Sequence, residues 1–237
     1  RKVLRDGNSF DLNPFEDDDN ALGLNLNFRN TLFFNRGKQQ YTTSYTYLAN
    51  TARNLVSLGL QTNELRSHQV SFLHKIKASY LFNLNTALGT NSSASENFAQ
   101  RNYSLETFEL NPKISYLFDD NTRLEAFYSL GTKENSLGAL EYLNKQDFGV
   151  AFSYSNAEKI SFNIEAQYIK NEFEGAAFSP VAYQMLEGLQ PGSNFTWNVI
   201  AQKRLTKFLD LNLSYFGRKS EDSRTIHTGT VQLRALF

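Results

Sequence analysis

The chain of 237 residues has no cysteine, one methionine, four prolines and three histidines, and its 24 basic residues are matched by 24 acidic ones. Without cysteine there is no disulfide framework, no thiolate zinc site and no thiol nucleophile. A net charge of zero gives no general electrostatic reason to expect nucleic acid as a partner. Nowhere do about 18 apolar residues run together, which excludes a transmembrane helix. Gly-rich phosphate loops are also missing. What is abundant is aromatic: 20 phenylalanines and 12 tyrosines, too many for a disordered chain. The sequence opens on Arg1 with no charged-then-apolar leader, as expected of a mature or excised segment.

The order of the residues is far less even than their average. Apolar and polar residues alternate with period two, the signature of strands whose two faces meet different surroundings. From Leu22 the even positions read Leu24, Leu26, Phe28, Leu32 and Phe34, against Asn25, Asn27, Arg29 and Thr31. The same split recurs in Val70, Phe72 and Ile76 against Gln69, Ser71 and Lys75, and in Phe108, Leu110 and Ile114 against Glu109 and Lys113. It returns in Phe162, Ile164 and Ala166 against Asn163, Glu165 and Gln167, and in Leu211, Leu213 and Tyr215 against Asp210, Asn212 and Ser214. About eleven such strands are predicted, most of nine to fifteen residues. Strands of soluble proteins usually run about five or six residues, whereas one tilted across a bilayer needs about nine to eleven.

Connections carry an independent signal. Short turns at 35–38, 77–79, 119–122, 156–159 and 205–208 alternate with longer connections at 50–64, 90–102, 132–144, 171–193 and 218–225. That asymmetry is the pattern of antiparallel membrane barrels, which pair tight periplasmic turns with long outer loops. Aromatic residues near strand ends (Phe34, Phe118, Tyr154, Trp197, Tyr215) fit interfacial girdles. Hydrocarbon offers no partner to an unpaired backbone group, so β structure there closes into a barrel, apolar side outward. The predicted fold is therefore all-β, a transmembrane antiparallel β-barrel over 21–237, with 1–20 an acidic extracellular loop or linker. The last strand and the first both run from outside to periplasm, so at least one further strand is expected upstream. The alternative is a strand overlooked within 51–62, but that stretch reads as a hairpin continuing above the membrane; Pro112, lacking an N–H, predicts a bulge or irregularity.

From Leu22 onward the chain resembles Gram-negative outer-membrane β-barrel proteins. The end is the most telling part: Val231, Leu233, Ala235 and Phe237 alternate up to a terminal aromatic, similar to the signal read by the barrel-assembly machinery of this class. The stretch from Tyr183 through Gly188, Pro191 and Gly192 to Trp197 is similar to closing hairpins of long, poorly characterised barrels. The resemblance implies an outer-membrane location, lipid as surroundings and a C-terminal barrel portion of a longer chain. It does not select among pores, energy-coupled transporters, secretion channels, adhesins and hydrolases.

Candidate chemistry is sparse. His227 stands near Glu221, Asp222 and Ser223, where a base and an acid would serve a hydrolase; a solvated turn explains these residues as well. His68, His74 and His227 lack metal-ligand spacing, and His74 reads as an interfacial side chain. Asp6, Asp11 and Glu16–Asp19 offer oxygen ligands for calcium without the offsets of an EF-hand loop, so a solvated loop is expected. Within 171–193, Ser179-Pro180 followed by Val181, Met185 and Leu186, then Gly188, predicts one short helix with its cap and stop. Its apolar side must fold back onto the barrel mouth or dock a partner protein. Inward charges (Arg29, Arg123, Arg204, Arg234; Glu109, Glu125, Glu165, Asp210) either pair across the interior or line a pore. The expected function is a channel, translocation or envelope-assembly component with no enzymatic activity, cofactor, metal or nucleic-acid partner. The alternatives are the barrel of a TonB-dependent-type transporter and an outer-membrane hydrolase.

Overall fold

The computed structural model describes residues 23–235 apart from 38, 39, 57, 58, 139, 157–159 and 222. The acidic opening 1–20 and the terminal Phe237 lie outside the described residues. Among the described residues, eleven strands form one sheet in strict sequence order. They are β1 (Gly23–Phe34), β2 (Tyr41–Val56), β3 (Gly59–Lys77), β4 (Tyr80–Ser95), β5 (Tyr103–Leu117) and β6 (Thr122–Asn135), then β7 (Tyr142–Asn156), β8 (Ile160–Glu174), β9 (Gly192–Thr206), β10 (Leu209–Ser220) and β11 (Ile226–Ala235). Every ladder is antiparallel. This is the fold of an antiparallel outer-membrane β-barrel.

Burial is inverted relative to a soluble protein. Large apolar side chains on the apolar face are open to the surroundings, with Phe34 at 69% exposure and Val231 at 70%. Away from Leu105, Leu143 and Ile169, the buried positions along the wall are polar ones, among them Thr46, Ser67, Ser115, Asp147, Asn171 and Asn194. The polar face is therefore the inner one, and the greasy face is turned to whatever solvates the barrel. On β5 the outward apolar residues run from Phe108 to Tyr116, about 26 Å along the strand at about 3.3 Å per residue. Tilted by about 40°, that gives a band of roughly 20 Å, close to the roughly 25 Å of membrane barrels.

The ladders also run further than the alternation does. β2 and β3 pair without interruption up to Val56 and Gly59, so 51–62 belongs to one long hairpin and hides no extra strand. At the same end, 132–135 and 142–144 are paired strand rather than connection, as are 90–95, 171–174 and 218–220. Outward positions there carry Glu134, Asn144 and Glu172, so no apolar face remains to mark the strand, while the backbone ladder itself is indifferent to what its side chains face. Pro112 pairs in register with Leu84 of β4. The pairing with β6 lapses at Asn111 and Pro112 and resumes at Lys113 in the same register, so the expected irregularity is a gap and not a bulge. Shifts of register fall instead at Lys75/Lys77 and Leu209/Asp210, beside short turns.

Candidate functional site

The inner face and its mouth at the long-connection end hold the polar side chains that the fold conceals. Along the wall, charges pair with close neighbours. Glu125 accepts from Ser115 at 2.8 Å and lies 3.5 Å from Lys113 and 3.7 Å from Arg123. Arg204 and Asp210, on adjacent strands, are 3.7 Å apart. Of the two sequence expectations, pairing across the interior and a row of free pore charges, this part of the wall shows neither; neighbouring charges neutralise one another.

The mouth is built differently. Ser179 caps helix α1 (Pro180–Met185), its hydroxyl accepting from the Ala182 N–H at 2.9 Å. Proline at the first helical position loses no bond, because that N–H has no intrahelical partner anyway. Gly188 (φ +76°) ends the turn in the left-handed region that favours glycine. The helix seats Val181, Ala182, Met185 and Leu186 on Leu105 and Leu143, with Tyr103 and Phe173 alongside. Leu105, Leu143 and Phe173 all belong to the inner register of β5, β7 and β8. The predicted helix thus covers its apolar side on the barrel mouth, leaving Phe178 and Tyr183 exposed.

Polar contacts fix this seat. Lys133 donates to Glu187 Oε1 at 2.6 Å and to the Met185 carbonyl at 3.1 Å. Lys145 donates to Glu187 Oε2 at 2.9 Å. Arg218, from β10, donates to the Gly188 carbonyl at 3.0 Å. Burial works to raise the Glu187 carboxyl, but the hydrogen bonds and charges of the two lysines outweigh it and hold the group at about 2. Beside the helix, Asn194 Oδ1 accepts from Ser220 at 2.5 Å and from the Gln190 N–H at 3.3 Å. Asn135 bridges Glu141 and the Leu137 carbonyl, both at 2.7 Å. Below the seat, among the described residues, Asp147 Oδ1 and Asn171 Oδ1 are buried without a hydrogen-bond partner.

The histidine constellation is not assembled. His227 lies in the outward register of β11, its Nδ1 2.7 Å from the Tyr215 hydroxyl and its ring against Trp197. Glu221 is occupied elsewhere, accepting from the Ser193 N–H at 3.0 Å, and Asp222 lies outside the described residues. His68 forms a matching outward cluster with Tyr45 and Tyr47. His74 sits beside a short turn, its Nδ1 3.0 Å from the Gln40 carbonyl. Among the described residues no group of three or more acidic or histidine side chains is placed to hold a metal.

No protein-family profile matches the sequence, nor does any curated protein. Solved structures do share its fold. LpxR from Salmonella typhimurium is similar over 88% of this chain and 88% of its own, at 8% identity and a TM-score of 0.37. The RagAB peptide importer in its closed-closed state is similar over 86% of this chain, at 8% identity and a TM-score of 0.41. This chain spans 33% of that one. Such likenesses concern the fold alone, but they correct one expectation. LpxR is an outer-membrane enzyme, so the fold includes enzymes and the predicted absence of enzymatic activity does not stand.

Proposed function

We propose that this chain is the C-terminal barrel wall of a Gram-negative outer-membrane protein that forms a route across the membrane, closed at its outer mouth by α1. The observation that supports this most is the seat of α1: an apolar helix face packed on the inner wall, tied by three cationic side chains from β6, β7 and β10. A solvated loop needs no such anchoring, whereas a stopper does. Exposed Phe178 and Tyr183 give the stopper an outer surface on which a partner protein would act.

The strand directions support the upstream extension. With eleven alternating strands among the described residues, β1 and β11 run the same way, and direct closure between them would need a parallel ladder. One more strand ahead of β1 closes the barrel with antiparallel ladders throughout, giving the even count typical of single-chain bacterial barrels.

Conductance in planar bilayers tests the closed-route reading. Wild-type protein is expected to conduct weakly, and deletion of 176–190 to raise single-channel conductance several-fold. A deletion variant that inserts and folds yet conducts no better than wild type contradicts it.

A further inference from the structure

We infer that Lys133 and Lys145 form a binding site for carboxylate-bearing solutes, and that Glu187 occupies it as a built-in ligand. Two lysines from adjacent strands converge on one carboxylate, each taking a different oxygen, at 2.6 and 2.9 Å. Both are largely buried, with side chains 14% and 22% exposed, while the Glu187 side chain is 50% exposed. The cations thus belong to the wall and the anion to the removable element. Long cationic side chains are costly to bury without a counter-charge. Nearby Asp147 is on the wall but lies outside the hydrogen bonds of either lysine, with Oδ1 unpartnered among the described residues. When α1 leaves, the lysine pair faces the inner space without its carboxylate. A solute entering with a carboxyl group finds the same two donors in the same arrangement, and by holding them keeps α1 displaced. Binding and opening are then one equilibrium, because the solute competes with Glu187 for a single site.

The inference rests on the closed-route reading, but its test needs no conduction, so each can fail alone. Lysine acylation followed by mass spectrometry is run on the folded, detergent-solubilised chain, with citrate as probe and inorganic phosphate as comparison. In the wild type both lysines are expected to react slowly. In Glu187→Ala they should react about tenfold faster, the factor expected when a charge-assisted hydrogen bond is lost from each amine. Citrate should restore the slow rate in that variant. Glu187→Gln, which keeps the shape of the side chain, should fall between. Faster labelling that citrate does not slow overturns the site, as does a wild type labelled as fast as Glu187→Ala. Protection by phosphate without protection by citrate overturns the carboxylate assignment.

Discussion

The two ends of this barrel are stabilised by different means. Towards the short turns the described wall buries no apolar cluster: most of its large apolar side chains point outward and most of its inner residues are polar, so side-chain burial there depends on the surrounding lipid. At the long-connection end, α1 and the wall beneath it enclose a small apolar core of Leu105, Leu143, Val181, Ala182, Met185 and Leu186, the buried hydrophobic cluster among the described residues. One end borrows its apolar phase from the membrane and the other builds its own. Only the second has the means to open without unfolding the sheet.

Several substitutions break this contrast, beginning with the most damaging. Leu143→Ala removes a side chain with 0% exposure and should cost about 2–5 kcal/mol at the mouth. Limited proteolysis within 175–191 should speed up sharply, while Leu213→Ala, on the outward wall, leaves that rate unchanged. Gly149→Ala is next: a methyl there would meet the Phe127 ring at 2.1 Å, and overpacking of this kind costs about 1–3 kcal/mol. Its effect should appear as a lower unfolding temperature of the sheet in detergent. Ser179→Ala removes the helix cap for about 1 kcal/mol, and should modestly quicken cleavage at the mouth alone.

Acidification is the mildest probe. The Glu187 carboxyl is held at about 2, below its ordinary 4.5. A depressed carboxyl stabilises the docked form above its ordinary value, and that contribution fades as pH falls from about 4.5 through about 2. The groups around it (Lys133, Lys145, Arg218, Asp147) leave cations in excess once Glu187 is protonated. Since Glu187 is half exposed, solvent screening keeps the effect small. Proteolysis of the mouth with an acid-active protease should rise across that window in the wild type and stay flat in Glu187→Gln.

The same contrast explains what could be read from the residues in order. Where the outer face meets lipid, Phe108, Leu110 and Ile114 alternate with Glu109 and Lys113, and the strand and its orientation follow directly. Above that band Glu134 and Lys133 are both charged, so the continuing ladder resembles a loop. The helix was legible from Ser179, Pro180 and Gly188 because caps and stops are local. The seat was not: Glu187 lies 54 residues from Lys133 and 42 from Lys145, and only the curl of the sheet joins them. The surroundings of His227 were hidden for a related reason. Proximity to Glu221 along the chain means little when the pleat turns His227 outward, beside Tyr215 and Trp197, while Glu221 is engaged by Ser193.

With the greasy face turned to lipid, the single tryptophan reports on that orientation directly. Trp197 lies in the outward register of β9, against Phe195 and His227. In vesicles containing phospholipid with brominated acyl chains its fluorescence should be strongly quenched, and soluble iodide should have little effect. Emission untouched by the brominated lipid but quenched by iodide would contradict the account.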